Sequence, residues 1–86
     1  MLKALLIHVG YGTWGQEYEL KITPFPGLGI RLDTYDMVNV VSVIVGDPDF
    51  HVTCIVEKEG AGESLQSKYL SEEDCERLGF ENWNYP

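Results

Sequence analysis

The segment that most constrains the fold is Met37 to Val45, MVNVVSVIV, in which six of the eight residues from Val38 onward are valine or isoleucine. β-Branched side chains are stiff at χ1 and pack well on a pleated surface, so they favour strands over helices. Both faces of the segment are largely apolar. We therefore expect a strand near residues 37–46 that is central in its sheet and buried on both sides.

Alternation of apolar and charged residues predicts a second strand near residues 17–23, with its charged face in solvent. The apolar run at 2–10 predicts another strand, and the glycine-rich segment between the two then joins them as a hairpin. A further strand is expected near residues 50–58, after the turn signal Asp47-Pro48-Asp49, and a short one near 29–32, after two prolines. The alternating residues are Tyr18, Leu20 and Ile22 on one face and Glu17, Glu19 and Lys21 on the other.

One short helix is expected near residues 71–79, within the segment LSEEDCERLGF. Ser71 is a favoured N-cap, acidic residues follow in the first turn, and Gly79 suits the left-handed position after the last turn. Cys75 then packs inside the domain. The aromatic tail at 80–86 has no regular period, and we expect it to dock against the sheet or a second subunit.

These elements predict a single domain, residues 1–86, of the mainly β class: a small antiparallel β-barrel, SH3-like or partly open, with four to five strands and one short C-terminal helix. The stretches PFPGLGIRL and VNVVSV resemble small uncharacterised SH3-like barrel proteins of bacteria and phages, over roughly residues 17–57. The resemblance implies the barrel fold and no activity.

Charge excludes several function classes. Six Lys and Arg stand against fourteen Asp and Glu, giving a net charge of −8, so the chain repels nucleic-acid backbones and anionic lipid. We expect no direct nucleic-acid binding and no membrane association. The chain has two cysteines, Cys54 and Cys75, which we interpret as reduced thiols, so we expect a cytoplasmic location. If a phage encodes the chain, that location is the host cytoplasm. A disulfide between the two cysteines is the alternative.

The stretch HVGYGTWGQE has the G-x-G-x-x-G spacing of dinucleotide-binding proteins. That motif needs a helix after its last glycine, whereas a strand is expected here, so the glycines are interpreted as turn and bulge residues. The turn carries two large rings, which favours a binding surface at the hairpin. The candidate binding residues are Tyr11, Gly12, Thr13, Trp14, Gln16, Arg31 and Tyr35.

The sequence holds no recognised catalytic or metal-binding motif, and we expect no enzyme activity, cofactor or metal. The leading hypothesis is a non-catalytic acidic binding protein that recognises another macromolecule, a protein partner, as an inhibitor or accessory protein of a phage or other mobile element. One alternative is a protein that binds or sequesters a small nucleotide, at a subunit interface of a homo-oligomer. The second alternative is a structural assembly subunit.

Overall fold

The computed structural model describes residues 2–33, 37–46, 48–58 and 69–83. Over these ranges the chain forms six strands and one helix. The elements are β1 (Leu2–Gly10), β2 (Gly12–Leu20), β3 (Gly29–Arg31), β4 (Met37–Ile44), β5 (Val52–Lys58), α1 (Glu72–Arg77) and β6 (Glu81–Asn82).

The strands form one curled, half-barrel sheet in the order β3-β4-β5-β1-β2-β6. The predicted class, a mainly β, partly open barrel with one short C-terminal helix, is confirmed. Two details differ from the expectation. The described part of the chain has six strands rather than four to five, and β1 pairs with β5 in parallel while the other pairings are antiparallel. The parallel pair arises because a hairpin, β1-β2, and a meander, β3-β4-β5, join side by side through β1 and β5.

Strand β4 is not the central strand, so that expectation was wrong. It is second from one edge, and β5 and β1 occupy the middle of the sheet. Its outer face is open: Ile44 is 52% exposed, and Val45 just beyond the strand is 73% exposed. The register also shifts between Val40 and Ser42, which changes the alternation along the strand. Valine and isoleucine content specifies an extended backbone but not which strands lie beside it.

Strand β2 begins at Gly12, earlier than the predicted 17–23, and ends at Leu20. The glycine-rich segment is therefore part of the hairpin ladder, in which Gly10 opposes Gly12 and Tyr11 alone forms the tip. Gly12 has a φ of +105°, a conformation that L side chains rarely adopt and that this tight turn requires. Ile22, expected on the inner face, lies beyond the strand and is exposed.

The core lies on the concave face of the sheet, because every second residue of each strand points inward. The helix and the residues on either side of it cover that face. The apolar residues that form this core are Ala4, Leu6, Trp14, Leu20, Ile30, Val38, Val40, Val52, Cys54, Val56, Leu70, Cys75, Leu78 and Phe80.

Helix α1 begins and ends at its capping residues. The Ser71 hydroxyl accepts a hydrogen bond from the Asp74 N–H at 3.1 Å. At the other end Gly79 has a φ of +93°, and the Phe80 N–H donates to the Cys75 carbonyl at 2.9 Å, which closes the helix. Phe80 thereby turns back into the core.

Some predicted features lie partly outside the described residues, namely Asp47 of the turn before β5 and residues 84–86 of the aromatic tail. Within the ranges that are described, no helix is long and apolar enough to cross a membrane.

Candidate functional site

The hairpin tip carries one exposed ring, that of Tyr11, which is 50% exposed. The ring meets Tyr69 edge to face, with centroids 6.0 Å apart. Tyr69 also lies against Gly10, where a Cβ would come within 2.9 Å of the ring. Tyr69, just before α1, therefore packs against the hairpin, and Tyr11 presents only part of its surface to solvent.

Trp14 does not stand exposed at the tip, contrary to the expectation. It is 2% exposed, and its indole N–H donates to the Tyr11 carbonyl at 3.1 Å. The reason is strand parity. Because β2 begins at Gly12, Trp14 opposes His8 across the ladder and points to the concave face. A buried ring cannot stack on a base or a partner side chain, so Trp14 has a structural role.

His8 is fully buried and uses both ring nitrogens. Its Nδ1 lies 2.9 Å from the Val56 carbonyl, and its Nε2 accepts from the Leu70 N–H at 3.0 Å. The carbonyl requires a donor and the N–H an acceptor, so the ring is the neutral tautomer protonated at Nδ1. His8 joins β1 to β5 and to Leu70 just before α1, a structural role that its position in the glycine-rich motif did not reveal.

The remaining predicted binding residues do not form one site. The Thr13 carbonyl accepts from the Trp83 N–H at 2.8 Å, and the Gln16 amide nitrogen donates to the Leu78 carbonyl at 3.1 Å. Arg31 lies on β3, and its carbonyl accepts from the Tyr18 hydroxyl at 3.2 Å, near the end of β2 far from the tip. Tyr35 lies outside the described residues.

A cavity of about 410 Å³ opens instead beside the middle of β2, on the outer face of the sheet. We call it the edge cavity. Trp83 forms one side of it and lies against Gly15, where any Cβ would overlap the ring. Residue 15 must therefore be glycine if the indole is to keep this position. The lining residues are Leu5, Gly15, Gln16, Glu17, Phe50, Gly79, Glu81 and Trp83.

The edge cavity combines aromatic rings with negative charge. Glu17 and Glu81 are exposed acidic residues of its lining, and among the lining residues none is basic. One cation lies beside the lining: the Lys3 Nζ is 5.1 Å from the centre of the Phe50 ring. The Phe50 ring is thus already in contact with an ammonium group, while the structure gives no such partner to Trp83 among the described residues.

The thiols offer no nucleophile to this site. Cys54 and Cys75 are free and buried, as reduced cysteines of the core. Burial raises the pKa of both thiols, and for Cys75, with the nearby acidic residues of α1 contributing further, the pKa is raised to about 11. In the described ranges, no group of three His, Cys, Asp or Glu is placed to hold a metal ion.

The edge cavity could not be predicted from the sequence. The tail was expected to dock, but nothing in its composition shows that Trp83 covers Gly15, or that Leu5 and Phe50 lie beside it. The helpful signal was a glycine inside a strand, which often marks the close approach of another group. Comparison of the chain with family models, with curated proteins and with solved structures gave no match.

Proposed function

We propose that the chain is a non-catalytic binding protein that recognises a basic segment of another protein, and that a Lys or Arg side chain of the partner enters the edge cavity. The observation that carries the proposal is the lining of this cavity, in which the Trp83 indole adjoins the acidic residues Glu17 and Glu81. The proposed binding surface therefore lies at the edge of β2, and not at the hairpin tip where it was expected from the sequence.

Both components favour a cation. The face of an indole attracts an ammonium or guanidinium group within about 6 Å, and the attraction is worth about 0.5–1 kcal/mol at an exposed site. The two carboxylates add a favourable field, and the net charge of −8 speeds the approach of a positively charged partner. The binding should therefore weaken as salt concentration rises.

The setting we propose is that of a small inhibitor or accessory protein encoded by a phage or another mobile element and acting in the cytoplasm. Small size and strong acidity support it, since an acidic surface of this kind competes for the basic surface of a larger protein. Nucleotide binding is the weaker proposal, because the carboxylates of the edge cavity repel phosphate and Arg31 lies away from the hairpin tip.

The test uses an array of random hexapeptides, probed with the full chain. We expect enrichment of Lys and Arg among the bound peptides, and a loss of at least threefold in affinity for Glu81→Gln. The matched control is Glu73→Gln, which makes the same charge change on the exposed face of α1 and should bind as the parent does. Binding of peptides without basic residues, or equal losses in the two variants, would refute the proposal.

A second variant tests the indole. Gly15→Ala places a methyl group where the Trp83 ring lies, so it should displace the ring and weaken peptide binding. Gly29→Ala is the control, because there the added methyl is crowded only by the flexible end of Met37 and makes an ordinary contact with the Asn39 side chain. Retention of full affinity by Gly15→Ala, with Trp83 fluorescence showing that the ring has moved, would contradict the role given to the indole.

A further inference from the structure

The side of β4 that faces away from β5 is only partly paired. On this side β3 pairs with the start of β4, from Met37 to Asn39, and the next residue bonds to the loop before β3. In the part of the chain that the structure describes, no strand lies on this side of residues 41–45, and no backbone hydrogen bond outside the sheet ladders involves them. We call these residues, 41–45, the open edge.

The backbone of the open edge presents free hydrogen-bonding groups. Before the register shift in β4, Val40 points to the β3 side, because its N–H donates to the Leu28 carbonyl at 2.8 Å. The shift adds one residue before Ser42, so beyond it the odd-numbered residues take this direction. Val43, and Val45 just after the strand, therefore direct their N–H and C=O groups away from β5 to the open edge.

The side chains of the open edge are apolar and exposed. Val41 is 44% exposed, and the exposed fractions of Ile44 and Val45 are higher still. An apolar edge with free backbone groups is a template for pairing with another chain, and proteins commonly block such edges with charged residues or proline. The open edge, VSVIV, contains neither.

The charges around the open edge favour a second copy of this chain as the partner. With a net charge of −8, two copies repel wherever their carboxylates meet. Residues 37–46 carry no charge, and neither do residues 53–55 of β5, which pair with the second half of β4. The one charged residue of β3, Arg31, pairs with Met37 at the other end of β4. Two copies therefore meet here without opposing carboxylates, whereas a charged segment finds no opposite charge.

We propose that the open edge pairs with the open edge of a second copy, antiparallel, so that a single sheet runs through a dimer. Identical antiparallel strands are related by a two-fold axis, which closes the assembly at two copies. Val43 of each copy pairs with Val45 of the other, and each such pair exchanges both of its backbone hydrogen bonds. The two Ile44 residues then lie directly opposite each other, with Cα atoms about 4.5 Å apart, and their exposed side chains cover one another.

The size of the open edge predicts a weak dimer. Five residues of strand are about 17 Å long, and pairing along that length covers less than the roughly 800 Å² per partner that stable complexes bury. Association should therefore depend on protein concentration. The edge cavity lies at β2, three strands away from β4, so the pairing leaves it open in both copies. The inference goes beyond the proposed function and does not depend on it.

The test is sedimentation equilibrium of the full chain from about 10 µM to about 1 mM. Ile44→Lys sets two like charges opposite each other and should weaken association by about tenfold. Val9→Lys is the control, because Val9 is a similarly exposed residue on the outer face of β1, away from the open edge. An equal mixture of Ile44→Lys and Ile44→Glu should associate more tightly than either variant alone, because opposite charges then meet across the axis.

Hydrogen exchange of the unmodified chain tests the backbone pairing without a substitution. We expect the Val43 and Val45 amides to exchange more slowly at the higher concentration, since pairing occupies their N–H groups. A chain that stays monomeric throughout would overturn the inference, as would equal association of Ile44→Lys and Val9→Lys. If a dimer forms but exchange at Val43 does not change with concentration, the dimer uses another surface and the inference is likewise wrong.

Discussion

Replacing His8 by phenylalanine tests whether this buried histidine holds the hairpin, β5 and the helical segment together. Phenylalanine keeps a ring of similar shape but offers no nitrogen. The Leu70 N–H would lose its acceptor and the Val56 carbonyl would lose a donor, both in a region without access to water. The substitution therefore isolates the two hydrogen bonds better than a change to alanine, which would also leave a cavity.

The loss in the free energy of unfolding comes from the two groups left without a hydrogen-bond partner, the Leu70 N–H and the Val56 carbonyl. An unsatisfied buried donor costs about 1–3 kcal/mol, and a carbonyl with a remaining lone pair costs less, so we expect about 3 kcal/mol in total. A chain of 86 residues has a free energy of unfolding of about 4–13 kcal/mol. For a domain of this size, a loss of about 3 kcal/mol lowers the Tm by roughly 12–24 °C. A substantial part of the total stability thus depends on one side chain.

The matched control is His51→Phe, the same substitution at the other histidine. His51 also accepts from a backbone N–H, that of Lys3 at 2.8 Å, but both residues are exposed and water can replace the ring nitrogen. We expect a loss below about 0.5 kcal/mol there. Urea unfolding followed by circular dichroism gives both values, and hydrogen exchange at the Leu70 amide should accelerate in His8→Phe alone. Equal losses in the two variants would refute the reasoning.

Two further predictions concern the helix. Ser71→Ala should lower the free energy of unfolding in urea by about 1 kcal/mol, because the Asp74 N–H loses its acceptor, and Ser71→Asp, which can still cap, should lose less. Because the pKa of Cys75 is raised, the folded state favours the protonated thiol. The thiol's contribution to the free energy of unfolding is therefore complete below pH 9, the ordinary thiol pKa, and is lost as the pH rises through about 11. Urea titrations over this range should show stability falling with pH, with a shallower slope in Cys75→Ala; equal slopes would contradict the assignment.

Local signals predicted the elements well, because the cause of each element lies within it. The boundaries of α1 follow from Ser71 and Gly79, two residues whose backbone requirements are set by their immediate neighbours. The alternation at residues 17–20 likewise gave the correct inner and outer faces of β2. Those predictions required no knowledge of which strands meet.

The order of the strands could not be predicted in the same way. The segment at 37–46 was expected to be central because of its apolar content, yet its outer face is exposed and β1 and β5 form the middle of the sheet. A parallel contact between β1 and β5 joins residues about 48 positions apart, and short strands carry little information about so distant a partner. The edge cavity depends on that order, so it could not be predicted either.

The glycine spacing at the hairpin shows how a motif can match for unrelated reasons. Gly12 supplies the positive φ at the turn, whereas Gly10 and Gly15 leave room for the rings of Tyr69 and Trp83. Each glycine thus answers a separate requirement, and none presents the free N–H groups of a helix start to a phosphate. What the spacing does share with a nucleotide-binding motif is close approach to the backbone. Here the groups that approach are rings from the chain's own C-terminal half, and one of them forms a side of the cavity to which we assign binding.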